Sequence, residues 1–472
     1  MNTYNVRIWA IRKRNSKSAP YQLRWIVNGE EFQQPFTTKT LADARRSQLV
    51  TATKKGEPFD VATGLPVSEL REANSPTWYE HACAYALMKW PRAAAKHRAS
   101  IAEALAIAVP TLVTTRRCAP NPVILRKALY QWAFRAVKNT DGQLVHRHEA
   151  QEPPAEIRGA LMWLSAHSRR VSDLENPDLL RPTLEALSRL LDGTPAAENT
   201  TRRKVMVLSN FLRYTVQERG LLPFNPLTRL DWTTPEADGE IDFRYVPDPT
   251  LARSLIARVR HQGKRGEHLE TFFGCIYYAA TRPSEAAALK EKDFVLPPDT
   301  QECAEKWGEV LVEESRPEVG SGWTDDGTPY EKRGLKHRTR KAYRSVPIPP
   351  VLVRMVRAHI TAYGTAPDGR IFRGARGGRV ASTEYCAVWA DARAEVLSEK
   401  ELETPLAEVP RLLRSAGVSL WIKAGVDPVE VARRAGHSVA VLFRFYARIL
   451  RGQQAVANQR IDTALSEGSD QD

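Results

Sequence analysis

Cysteine is scarce and scattered. The five cysteines, Cys83, Cys118, Cys275, Cys303 and Cys386, include no C-x-x-C pair, so neither a zinc site nor a disulfide framework is indicated. No apolar run approaches the roughly 18 residues that a membrane helix requires, and no membrane partner is expected. The Met-Asn-Thr start lacks a charged segment leading into an apolar one, which argues against a secretory signal. A reducing, soluble compartment is the expectation. Carboxylates are the minority charge, 55 Asp and Glu against 69 Lys and Arg. None are arranged as the clustered triad that a metal-dependent nuclease or transposase needs, so no metal and no cofactor are expected.

What is present is a long, basic chain. Its 472 residues exceed one ordinary domain, and 42% hydrophobic residues suffice for packed cores. The formal net charge of +14 suits a polyanionic partner, since each Lys or Arg at a phosphate releases condensed counterions. A solvated basic surface accounts for the charge equally well.

Residues 1–57 are predicted to form a small β-rich module. Tyr21, Leu23, Trp25 and Val27 alternate with Gln22, Arg24 and Ile26, and Asn28-Gly29 turns the chain toward Phe32. Val6, Ile8 and Ala10 suggest a further strand, followed by a basic loop from Arg12 to Lys17. Thr40-Leu41-Ala42-Asp43 suggests the start of a helix that ends near Gly56. A basic sheet edge that includes Arg24 fits a DNA reader, and a protein-interaction module fits nearly as well. Residues 58–75 read as a linker. Residues 76–235 read as helical throughout, with runs at Tyr79–Trp90, Ala93–Val109, Val123–Val137 and Glu156–Ser168. Asn199-Thr200-Thr201 is expected to cap a last helix whose apolar positions are Val205, Leu208, Leu212 and Val216. Its Arg202, Arg203 and Lys204 make a solvated face or a face laid on DNA. A third region, 241–455, precedes a tail, 456–472, with Ser466–Asp472 expected to be disordered.

Four signals in the third region carry chemistry. Arg282-Pro283-Ser284-Glu285 follows the apolar run Phe272–Ala279. Pro283 suits a first helical turn, placing Arg282 at a helix N-terminus where guanidinium and free amides can meet one anion. Glu285, one turn on, can orient Arg282, although a buried structural ion pair explains the two equally. Next, Gly334 to Arg338 and Arg344 to Pro349 read as a hairpin whose tip holds Lys336, Arg338, Arg340 and Lys341. A lysine there can protonate a leaving oxygen, or the tip can simply contact phosphate. Third, Arg411-Leu412-Leu413-Arg414 opens a helix ending at Gly425, and Asp427-Pro428 caps a short one closed by Gly436. His437 follows directly. Fourth, Tyr446 lies nine residues beyond His437, about two and a half helical turns. Leu442, Phe443 and Phe445 around it fit a core position too.

Together these residues supply what phosphodiester transesterification needs. Two arginines neutralise the non-bridging oxygens, a hydroxyl attacks, a lysine protonates the departing 5′ oxygen, and a histidine helps bind the phosphate.

The order Arg282, Lys336, Arg414, His437, Tyr446 resembles the tyrosine recombinase (phage integrase) family. The segment from Gly425-Val426-Asp427-Pro428 through Ala435-Gly436-His437-Ser438 to Tyr446 matches most closely. The layout is similar to actinobacterial integrases. That resemblance implies a mainly α protein with small β-sheets (α+β) in three domains, an arm-binding module, a helical core-binding domain and a catalytic domain. It also implies DNA attachment sites as substrate, a 3′-phosphotyrosine intermediate, a homotetramer on DNA and an excisionase-type directionality factor. A bacterial cytoplasmic location follows. One departure stands out, because the family's His-x-x-Arg begins here with Arg411, which can donate to phosphate but cannot accept the tyrosine's proton. Either Lys336 or Lys341 can be the general acid. A recombinase-like protein that binds without cutting is the rival function. A type IB topoisomerase shares the chemistry but does not need an amino-terminal arm module.

Overall fold

The computed structural model describes residues 1–233, 242–334, 343–451 and 454–467, without the side chains of 445, 447–457, 460, 464 and 467. The chain divides into two compact units, Met1–Ala237 and Asp238–Asp472. Both are mainly helical with small antiparallel sheets. Among the described residues no helix is long and apolar enough to cross a membrane.

The first unit begins with the expected sheet. Tyr21–Val27 pairs with Glu30–Phe36 across the two-residue Asn28-Gly29 turn, where both residues take positive φ (53° and 97°). This mirror-image turn matches the right-handed twist of the strands it joins. Leu23, Trp25 and Val27 point to one side and pack with Leu49 of the Lys39–Lys54 helix. That helix starts two residues before the expected position, because Thr38 is the cap and accepts from the Leu41 amide. The stretch read as a linker is structured. Phe59–Asp60 pairs with Asn2–Thr3, Phe59 is buried in the small core, and Val67–Ala73 is a helix.

Beyond it lie the expected helices, Trp78–Lys89, Ala95–Ala108 and Ala155–His167. The run at Val123–Val137 is not one helix. After Pro122–Ala128 and a wide turn, Ala136–Lys138 leaves as a strand pairing with Leu144–His146. The last helix, Glu198–Arg213, starts from Ala197 with no side-chain cap, so Asn199-Thr200-Thr201 lies within its first turn.

In the second unit the Gly263–Tyr278 helix is the hub, touching Pro249–Arg260, Pro350–Tyr363 and Arg411–Lys423. Phe272, Phe273 and Ile276 are fully buried there, each contributing roughly 1.5–3 kcal/mol. Close approach to the Arg411–Lys423 helix requires Gly417, since a Cβ there would stand 2.0 Å from the Tyr277 carbonyl oxygen. A three-stranded antiparallel sheet, Phe294–Val295, Gly308–Val312 and Arg344–Ile348, lies against this core. Arg344–Ile348 is the expected returning strand, but its partner is Gly308–Val312. Arg333–Gly334 pairs instead with Glu314–Ser315. The expected hairpin tip, with Lys336, Arg338, Arg340 and Lys341, lies outside the described residues.

Candidate active site

The site is built around one buried carboxylate. Pro283 starts the short helix Pro283–Ala286, leaving Arg282 as its cap in extended geometry (φ −73°, ψ 150°). Three residues on, Glu285 turns back. Its Oε2 accepts the Arg282 amide at 2.9 Å and its Oε1 accepts Arg282 Nη1 at 2.6 Å. The expected helix start is observed, and Glu285 bonds Arg282. Arg282 keeps a third of its side chain exposed, while Glu285 is 2% exposed.

A second arginine reaches the same carboxylate from the sheet. Arg344 Nη2 donates to Glu285 Oε2 at 2.9 Å and Nη1 to Oε1 at 3.3 Å. In the sequence Arg344 reads as a strand residue only. A signal was available, since Arg344, Val346 and Ile348 share one buried strand face. An arginine of that parity needs a buried counterion.

Arg414 arrives from the first turn of the Arg411–Lys423 helix. Its guanidinium donates to the carbonyls of Ala280 and Ala435, its Nη2 lies 3.0 Å from His437 Nε2, and its Nη1 lies 4.0 Å from Glu285. Ala280 is itself in the left-handed region (φ 45°), which aims its carbonyl at Arg414. His437 is held by Gly436, the left-handed end (φ 65°) of the Pro428–Ala435 helix that Asp427 caps, as expected. The Gly436 carbonyl lies 3.5 Å from Arg282 Nη2. Ser438 then opens the next helix, Val439–Arg451, with its Oγ accepting the Val441 amide. Tyr446 lies on that helix, 2% exposed within the main core, with its ring 6.4 Å from His437 and 5.8 Å from Phe243.

Electrostatics follow from this crowding. Burial alone would raise the Glu285 pKa, but Arg344, Arg414 and Arg282 outweigh it and hold the carboxyl well below the usual range. Burial pushes Arg414 down to about 9, against the pull of Glu285, so it remains a cation at neutral pH. His437 is pushed down to about 3 by burial and then by Arg414, Arg282 and Arg344, so it is neutral. Because Arg414 can only donate, the His437 proton is assigned to Nδ1. Nδ1 is buried and has no hydrogen-bond partner among the described residues. Burial raises the Tyr446 pKa, while Arg414, the Ser415 hydroxyl and Arg411 act against it.

Five of the predicted residues, Arg282, Glu285, Arg414, His437 and Tyr446, therefore converge. Arg411 is exposed and acts on Tyr446 only through its charge. The two candidate lysines fall outside the described residues. The outlying DNA-contact candidates divide. Arg202 and Arg203 are exposed, with Arg203 lying 3.6 Å from Glu103. Lys204 is a correction, being 4% exposed with its Nζ donating to the Arg189 carbonyl at 3.0 Å. Helical spacing turns it to the buried side with Thr201, Val205 and Leu208. Arg24 is half-buried, paired with Glu31 and 4.8 Å over the Trp9 ring. Among the described residues no cluster of three or more His, Cys, Asp or Glu could hold a metal ion.

No family model and no curated protein matches the chain. Solved structures similar to it are recombinases and integrases. The Tn1549 transposon integrase with transposon right-end DNA matches at 18% identity and TM-score 0.43, over 57% of this chain and 80% of that one. XerH site-specific recombinase bound to its difH substrate matches at 11% identity and TM-score 0.40, over 73% and 90%. A lambda integrase tetramer bound to a Holliday junction matches at 12% identity and TM-score 0.42, over 92% of this chain and 94% of that one.

Proposed function

We propose that this chain is a site-specific DNA recombinase that cuts and rejoins strands through a 3′-phosphotyrosine at Tyr446. The observation that carries the reading is the convergence of Arg282, Arg414 and neutral His437 about Glu285, with Tyr446 beside them. Three features support it. Arg282 is part-exposed and reachable by a phosphate. Arg414 is oriented by three polar contacts within the protein. The His437 Nδ1–H is a buried donor for which a phosphate oxygen is a fitting partner.

In the forward step the Tyr446 hydroxyl oxygen attacks phosphorus and the bond to the 5′ oxygen breaks. The arginines and His437 stabilise the charge on the non-bridging oxygens. Lys336 or Lys341 gives the 5′ oxygen its proton. The tyrosine proton passes to water, since Arg411 cannot take it. The covalent phosphotyrosine keeps the bond energy, so attack by a second strand's 5′ hydroxyl reverses the step without ATP. On this reading residues 1–57 bind arm-type DNA, 76–235 the core site and 241–455 perform the chemistry. Four protomers assemble on paired sites in the bacterial cytoplasm, and an excisionase-type partner sets direction.

The test is covalent capture. Nicked duplexes tiling the flanks of the gene's own locus are incubated without metal with wild type, Tyr446→Phe and Arg414→Ala. A denaturant-resistant adduct is expected with wild type and none with Tyr446→Phe, while Arg414→Ala forms it on the order of 10²–10³-fold more slowly. Specific binding by wild type without any adduct would establish the non-cutting reading instead.

A further inference from the structure

Glu285 is shared by more cations than a simple orienting carboxylate needs. Arg282 and Arg344 both bond to it, and Arg414 stands 4.0 Å away. We propose that Arg344 is a positioning residue for strand transfer, which occupies Glu285 so that Arg282 and Arg414 keep their charge for the phosphate. The proposal rests on the strand-cleavage reading above.

Arg344 itself cannot touch DNA, because its side chain is 1% exposed and that of Glu285 is 2% exposed. Of the three arginines, only Arg344 faces the carboxylate with both terminal nitrogens, at 2.9 and 3.3 Å. Arg282 gives Glu285 one terminal nitrogen and turns the other toward the Gly436 carbonyl. Arg414 spends its donors on Ala280, Ala435 and His437. Three cations and one anion leave a net formal charge of +2, which suits a phosphate gaining negative charge in the transition state. Without Arg344 that net falls to +1, and one face of a buried carboxylate is left without its partner. Such a group draws in the nearest cation not already bonded to it, here Arg414 at 4.0 Å. Glu285 and the phosphate would then compete for the same guanidinium.

This predicts a charge-specific rescue that a packing role does not. The experiment compares wild type, Arg344→Met, Arg344→Lys and Arg344→Met with Glu285→Gln, in full-length protein. It measures single-turnover adduct formation on the nicked duplexes, with equilibrium DNA binding and thermal melting in parallel. Arg344→Met is expected to slow adduct formation on the order of 10²-fold, the scale of one lost oxyanion donor, while DNA affinity stays within about threefold. Arg344→Lys retains the cation and should stay within roughly tenfold of wild type. Adding Glu285→Gln to Arg344→Met restores the net charge and should recover at least about tenfold of the lost rate. A double variant no faster than Arg344→Met would overturn the proposal, as would an Arg344→Met protein that cleaves like wild type. If Arg344→Met does not fold, Arg344→Lys against Arg344→Gln makes the same comparison with side chains that fill the site. Lysine at least tenfold faster supports the role and equal rates overturn it. Absence of any wild-type adduct would instead refute the strand-cleavage function.

Discussion

Replacing Gly436 with alanine adds one methyl group to the site, and the structure says what it would meet. Gly436 ends the Pro428–Ala435 helix at φ 65°, ψ 42°, where an L-residue costs about 1–2 kcal/mol. The new Cβ would lie 2.7 Å from Arg344 Nη1 and 3.2 Å from its Cδ. A flexible surface side chain would swing away, but Arg344 is buried and bonded twice to Glu285. Overpacking of that kind costs about 1–3 kcal/mol. The sum, about 2–5 kcal/mol, corresponds to a fall in melting temperature of roughly 5–15 °C for a unit of this size. Gly436→Asn separates the two contributions, because asparagine tolerates the left-handed conformation but still carries a Cβ. Calorimetry on Gly436→Ala, Gly436→Asn and wild type would order them alanine, asparagine, wild type from least to most stable. Adduct formation should fall in both variants, since Arg344 and the Gly436 carbonyl contact Glu285 and Arg282 respectively. An alanine variant that melts within about 1 °C of wild type and cleaves at an unchanged rate would refute both the contact and the need for glycine.

Two further expectations concern other parts of the molecule. Lys204→Met should leave DNA affinity and its salt dependence unchanged, because the lysine points inward to the Arg189 carbonyl. Arg202→Ala should weaken binding and reduce the salt slope by about one, and equal salt slopes for the two variants would count against this division. Acid should destabilise the second unit between pH 6.5 and about 3. His268 is held down from 6.5 to about 3 by burial, then by His359 and Arg265, and His437 is lowered similarly. Unfolded, both take a proton near 6.5, so the unfolded state binds more protons in that window. Their stability contribution is thus complete above pH 6.5 and declines as pH falls. Melting temperatures at constant ionic strength that stay level from pH 7 to 4 would contradict this.

Local rules made much of the architecture legible. Asn28-Gly29 between alternating apolar residues specified its hairpin, and Asp427-Pro428 with Gly436 specified both ends of a helix. The helix from Arg411 to Lys423 and the place of Tyr446 on its own helix were readable from period and spacing. Misreadings arose where tertiary contacts decide. Thr38 and Thr40 are both of a capping residue type, and the helix starts at the first. Val137 belongs to an apolar run of helical appearance, yet it pairs with Val145 in a small sheet. Lys204 adjoins Arg202 and Arg203 in the chain, yet helical rotation turns it to the buried side. At the site, residue types were visible in sequence but their sharing of Glu285 was not. Arg344 joins it across 59 positions and Arg414 approaches it from another helix.

Ala280 shows how far the site is preorganised. An alanine held at φ 45° is a local strain of about 1–2 kcal/mol, and here the bent peptide carries the carbonyl that accepts from Arg414. That distortion belongs to the fold of the second unit. In the proposed reaction the guanidinium would therefore not have to reorient as charge develops on phosphorus, adding little reorganisation energy to the barrier.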